Sequence, residues 1–345
     1  MRKNSLLPLA AMAAMAAMAA MAAMAAITAG CQKSVPAVAR LDVQPRAVTL
    51  PYPELTTVHF AWAPARPLDT EAPPLVFVHL LDRRLRVVRT FDHPFPQGWQ
   101  EGAAVAYDVK LFQSAVAPPL AAGKYQLSVG LYDAKGKRWP LDGLGKDIRK
   151  REYAAATIDV PAQPAGPRFG FSPAWLPVEP GTDRQVVARR WLSEQRGAIR
   201  LDEVPGPGTV WLLLRIPPGD RANERLVPHE GAGSSPAVVV KGTCGGAETG
   251  ISGPGPHEVE IPVEPSEGAG KEGGCSILMA PNFHLVSSVE PLLRSVSLEN
   301  AAWIPGASRQ AAPAAGNAAT GTPAGKPAAT RPPAPPGPSD RPPGG

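Results

Sequence analysis

The sequence lacks most of the short motifs through which a chain declares its chemistry. It has no phosphate-binding loop, no glycine-rich dinucleotide turn set between a strand and a helix, and no Gly-x-Ser-x-Gly elbow. His229-Glu230 and His257-Glu258 begin a His-Glu-x-x-His pattern, but neither has the second histidine. Acidic residues are scattered, so no glycosidase-like carboxylate pair stands out. Outside the first 30 residues, no long stretch repeats with helical periodicity, which argues against a helical body. Cysteine is scarce, with three in 345 residues, and charged residues make up only 19%. Proline (43) and glycine (34) are abundant instead, as many short strands and turns require.

A basic balance of +5 does not signal nucleic acid, because of where the charge lies. Arg2 and Lys3 carry two of those charges, and the segment from Gly306 onward carries three more, leaving a body with no net charge. A nucleic-acid-binding domain needs a concentrated basic face. The cluster Lys146, Arg149, Lys150 and Arg151 reads as a solvated connector.

Period-two alternation dominates residues 41–160. Val58, Phe60 and Trp62 alternate with Thr57, His59 and Ala61, and similar patterns run through Val105–Leu111 and Tyr125–Leu131. About seven such strands in ~120 residues predict an immunoglobulin-like β-sandwich. Pro161–Pro167 reads as a linker. Residues 168–305 read as a second, jelly-roll-like sandwich, with strands at Val186–Trp191, Ala198–Leu201, Thr209–Ile216, Ala237–Gly242, Glu258–Val263, Ser276–Met279 and Ser295–Trp303. Residues 217–236 and 243–256 read as loops. The Pro/Ala/Gly-rich tail 306–345 is expected to be disordered, with a polyproline II bias near Arg331. The fold class expected is therefore all-β, two tandem sandwiches following a helical leader.

The N-terminus has a basic start, then an uncharged apolar stretch from Leu6 to Gly30, largely an Ala-Ala-Met repeat with methionines at 12, 15, 18, 21 and 24. It closes on Ile27-Thr28-Ala29-Gly30-Cys31. This layout is that of a secretory signal, and its end resembles the lipobox of bacterial lipoproteins, although Thr28 stands where that family usually has leucine. The resemblance implies cleavage after residue 30, a diacylglyceryl group on the sulfur of Cys31, and residues 31–40 as a tether. Gln32 after the cysteine implies the outer membrane. An uncleaved transmembrane anchor and an ordinary secretory signal are the competing readings.

In the body, Phe77-Val78-His79-Leu80-Leu81-Asp82, Trp99-Gln100-Glu101-Gly102 and Gly123–Asp133 resemble an extracytoplasmic β-sandwich of bacterial envelope proteins. Ser297–Trp303 is similar to the last strand of its partner sandwich. The resemblance covers about 230 residues and brings no catalytic residue with it.

Three sets of residues are candidates for specific roles. Cys244 and Cys275, an even pair in an exported chain, are expected to form a disulfide, with free or metal-binding thiols as the alternative. Trp99 and Trp139, beside Gly or Pro in expected loops, are candidates for stacking on a sugar ring, whereas Trp62, Trp191, Trp211 and Trp303 are expected in the core. His59, His79 and His93 are the candidates for a metal site, weighed against separate structural roles. No cofactor or metal is expected. The leading reading is a non-enzymatic envelope lipoprotein that binds a protein or glycan or acts as a scaffold. The alternative is a hydrolase of envelope polysaccharide.

Overall fold

The structure, a computed structural model, describes residues 35–306 apart from 71, 182–185, 220–222, 232, 234, 266–273 and 290–292. The apolar leader, Cys31 and the tail beyond 306 lie outside the described residues. All regular structure among the described residues is β.

Two sheets face each other in the N-terminal half. One contains β1 (Ala39–Gln44), β3 (Leu55–Pro64), β7 (Val105–Phe112) and β10 (Leu141–Asp142), in the order β10-β1-β3-β7. The other is built from β2 (Ala47–Thr49), β4 (Leu75–Leu81), β5 (Val87–Thr90), β8 (Gly123–Tyr132) and β11 (Tyr153–Val160), in the order β2-β11-β8-β4-β5. Short strands β6 (His93–Pro94) and β9 (Arg138–Trp139) pair with β4 and β8. The alternation in β3 has the consequence it predicts: Val58, Phe60 and Trp62 are buried between the sheets, and Thr57 and His59 face water. β8 departs from this rule, being buried on both faces from Leu127 to Leu131 because segment 133–152 covers its outer side.

The C-terminal half repeats the plan. One sheet has β12 (Arg168–Phe171), β15 (Gly197–Asp202), β18 (Ala237–Gly242), β19 (Glu248–Ser252) and β21 (Cys275–Pro281), ordered β12-β15-β21-β18-β19. The second has β13 (Glu179–Pro180), β14 (Ala188–Trp191), β16 (Gly208–Ile216), β20 (Gly255–Val263) and β23 (Ser297–Pro305), ordered β13-β14-β23-β16-β20. A separate ribbon pairs β17 (Glu224–Pro228) with β22 (Phe283–Ser287). β17 and β19 fall where the sequence suggested loops. Neither has a fully buried residue, so neither shows the alternation that reveals a half-buried strand. The expected disulfide is present: Cys244 and Cys275 are bonded with their Cα atoms 5.4 Å apart, closing a separation of 31 residues. Such a closure contributes about 3–4 kcal/mol on the chain-entropy account.

A small apolar cluster joins the halves. Leu55 packs with Trp211 and Ala302, and the Phe112 and Trp211 rings lie 4.9 Å apart. Backbone bonds cross the seam from Ala115 N–H to Ala301 C=O (2.7 Å) and from Trp303 N–H to Pro53 C=O (2.9 Å). At its rim Lys110 pairs with Glu258 and Glu260.

Two hairpins of the first half are built alike. In Asp82–Arg86 the Asp82 carboxylate accepts from the N–H groups of Arg84 and Arg86, both at 2.9 Å. In Asp133–Lys137 the Asp133 carboxylate accepts from Lys135 (2.9 Å) and Lys137 (2.8 Å). The fourth residue of each donates to the aspartate carbonyl and has positive φ: Gly136 at 80°, but Leu85 at 59°. A left-handed leucine costs about 1–2 kcal/mol that glycine does not. Leu85→Gly is therefore expected to raise stability by about 0.5–1 kcal/mol, the gain being trimmed by the freer unfolded chain. Gly136→Leu is expected to lower it by about 1 kcal/mol. Denaturant midpoints at constant slope measure both; equal effects of the same sign would contradict the assignment.

Candidate functional site

The outer face of the β8 sheet carries the most unusual polar cluster in the described residues. Phe77 and His79 are two apart on β4 and therefore share a face. Their rings stack at 4.8 Å. Gly130 on β8 makes room for Phe77: a Cβ there would meet the Phe77 ring at 2.1 Å. Beside them Ser128 points outward from β8, and Glu152 enters from the residue before β11.

Glu152 is a buried carboxylate, with its side chain 2% exposed. Ser128 Oγ–H donates to its Oε1 at 2.7 Å, and Arg149 Nε–H donates to its Oε2 at 2.9 Å. His79 Nδ1 lies 3.3 Å from Oε1, and Arg138 stands 3.8 Å from Oε2. Burial pushes the Glu152 carboxyl up, but the bonds from His79, Arg149 and Ser128 outweigh it and hold it at about 2. Burial likewise opposes charge on His79. The carboxylates of Asp92, 3.5 Å from Nε2, and of Glu152 outweigh that and push the imidazole up.

Over this base runs the segment between β9 and β11. Lys150 and Arg151 are consecutive non-glycine residues with positive φ, 44° and 65°. The turn holds because Ile148 N–H donates to Glu152 C=O (2.7 Å) and Arg151 N–H to the Asp147 carboxylate (3.1 Å). Arg138 Nη1–H donates to Lys150 C=O at 3.3 Å and its guanidinium lies 4.6 Å from the Phe77 ring centre. Arg151 in turn bonds the Arg138 carbonyl. The result is a cleft of 780 Å³ lined by His79, Arg138, Arg149, Lys150, Arg151 and Glu152, with Val87 and Gly136 at its side. Four permanent cations meet one carboxylate there, so the cleft suits an anionic group.

Lys146, Arg149 and Lys150 are solvent-exposed as the sequence reading expects, but Arg149 and Arg151 are also tied down, to Glu152 and to the Arg138 carbonyl. No motif signalled the site, because His79 and Glu152 are 73 residues apart. The tryptophan candidates lie elsewhere. Trp139 is 5% exposed, a core residue of β9 with Lys137 over its ring, so no face is open to a sugar and that expectation is corrected. Trp99 is half-buried, edge-on to Trp62 at 6.4 Å, and donates its indole N–H to Arg66 C=O. The tryptophans expected in the core are buried there, 62, 191, 211 and 303 alike. The histidines stand apart: His59 pairs with Asp108 at 2.9 Å, and His93 is bonded to Phe91 C=O and the Tyr107 hydroxyl. No group of three or more metal-ligating side chains occurs among the described residues.

A second cleft, of 770 Å³, lies at the opposite end of the sheet between the Asp82–Arg86 hairpin, Pro118–Tyr125 and Val187. Arg83, Arg84, Arg89 and Lys124 make it basic too, but no buried carboxylate organises it.

No protein-family model matches the chain, and no curated protein matches its sequence significantly.

Glu152→Gln is expected to destabilise the fold by about 2 kcal/mol, since it leaves Arg149 and His79 without the charge they face. The wild type holds this contribution in full above the ordinary carboxyl value and loses it as pH falls toward about 2. Denaturation between pH 5 and 2 should therefore show a steeper acid loss in the wild type than in the variant. Parallel curves would refute the role of Glu152.

Proposed function

We propose that this chain is an exported envelope lipoprotein, held on the outer membrane by a lipid on Cys31, and that its sandwich body binds an anionic group in the Arg138–Arg151 cleft without catalysing a reaction. The observation that carries the binding reading is the cleft itself, in which four cations rim a carboxylate whose bonds are all internal. The Cys244–Cys275 bridge supports an oxidising compartment, because such bonds persist outside the reducing cytosol. The Arg2-Lys3 start, the uncharged stretch to Gly30 and the Ala29-Gly30-Cys31 ending support the anchor.

A hydrolase of envelope polysaccharide is the second reading, and it draws on Asp92 and Glu152 lying on either side of His79. A general acid needs a proton near neutral pH, and Glu152 is held ionised far below that. Glu152 is therefore unsuited to donate a proton, and its oxygens are already engaged by Ser128, Arg149 and His79.

Cys31→Ala is expected to abolish incorporation of labelled fatty acid and to leave a precursor that keeps residues 1–30. Processing at the same position without the cysteine would contradict the lipoprotein reading.

A further inference from the structure

We propose that the anion met by this cleft is the phosphate headgroup of phospholipid in the membrane that holds the anchor, so that the first sandwich docks on the bilayer through residues 135–151. The inference rests on the lipid-anchor reading above.

Charge distribution is the first support. Between Lys135 and Arg151 the chain has seven cations and two carboxylates, Asp142 and Asp147, within a body that has no net charge. Lys135, Lys137 and Arg138 lie on the Asp133–Lys137 hairpin and β9; Lys146, Arg149, Lys150 and Arg151 lie on the segment that covers β8. Part of this charge is spoken for. Lys137 reaches Asp69 at 3.5 Å, Arg149 bonds Glu152, and Asp147 takes the Arg151 backbone. Lys135, Lys146 and Lys150 make no ion pair among the described residues, and all three are exposed. Clustered cations of this kind draw a protein to an anionic leaflet when they lie within a Debye length of it.

Position is the second support, and it is independent of charge. β1 starts at Ala39, which pairs with Leu141 of β10, and Val38 N–H donates to Pro140 C=O at 2.9 Å. β9 pairs with the C-terminal end of β8, at Leu131 and Tyr132. The chain therefore enters the sandwich at the end that carries the Lys135 hairpin. Seven peptide steps separate Cys31 from Val38, a reach of at most about 25 Å. The other basic patch, Arg83–Arg89, lies at the far end of β8, where Leu81 pairs with Gln126. One lipid therefore attaches nearer to the 135–151 end than to the Arg83 end. A soluble glycan or an acidic protein would place no such demand on which end carries the charge.

The test uses the full lipidated chain on vesicles of phosphatidylcholine alone, or with about one-third phosphatidylglycerol. A water-soluble amine reagent reports the accessibility of each lysine. On the anionic vesicles Lys135, Lys146 and Lys150 are expected to label at least ~3-fold more slowly than on neutral ones, with Lys124 and Lys241 unchanged, and about 1 M salt should erase the difference. Lys146→Glu with Lys150→Glu should remove the protection of Lys135 while the acylated chain stays on the vesicles. Uniform labelling of an acylated chain overturns the docking and leaves the anchor standing. An unacylated chain overturns both. Equal protection by inorganic phosphate on neutral vesicles assigns the cleft to a free anion and also overturns the proposal, as does protection of Lys124 instead of Lys150.

Discussion

One buried carboxylate organises the N-terminal half of this molecule beyond its core. Glu152 collects bonds from a strand hydroxyl, a histidine and an arginine that come from three different places in the sequence. An isolated carboxylate at 2% exposure would be costly, and it would protonate instead of remaining charged. Here the partners reverse that tendency. The consequence is mechanical as well as electrostatic: segment 143–151 is closed against the sheet at its base by the same residue, which explains how two consecutive left-handed residues, Lys150 and Arg151, are maintained.

Around this point the fold supplies a stiff frame. Each half has its own layer of apolar side chains, and the seam of Leu55, Phe112, Trp211 and Ala302 joins them beside buried Ser114, whose Oγ accepts from Ala301 N–H. Backbone bonds to β23 cross the same seam, so a shift of one half against the other would break bonds as well as contacts. The disulfide staples the second half, linking β21 to the loop after β18. The cationic segment is thereby held at a set orientation on the frame, as the docking proposed above requires.

The sandwich was legible in the sequence because its strongest strands are half-buried. Val58, Phe60 and Trp62 alternate with polar residues, and the pleat leaves no other way to bury them. The disulfide was legible because the signal-like N-terminus led us to expect an oxidising compartment, where an even pair of cysteines has few other fates. What escaped was decided by the second face of a sheet. Ser128 and Gly130 look like solvent-facing positions of β8, yet Phe77 and segment 133–152 cover them. Trp139 was misread for the same reason: Pro140 beside it suggests an exposed turn, whereas the residue pairs with Leu131 and turns into the core. β17 and β19 bury too little to leave a pattern. Glu152 could not be found from spacing, since its partners lie 3, 24 and 73 residues away with no repeat linking them.

Glu152 holds the cationic segment in place through its bonds to Arg149, Ser128 and His79. Amide hydrogen exchange of the wild type and Glu152→Gln tests this directly, followed at Gly145, Ile148 and Ala154, whose N–H groups bond within or beneath the segment. The account predicts that these three amides lose protection by about tenfold or more in the variant, while Leu127 and Val129 of β8 remain protected. Unchanged protection at Ile148 and Ala154, or equal loss throughout the sheet, would contradict it.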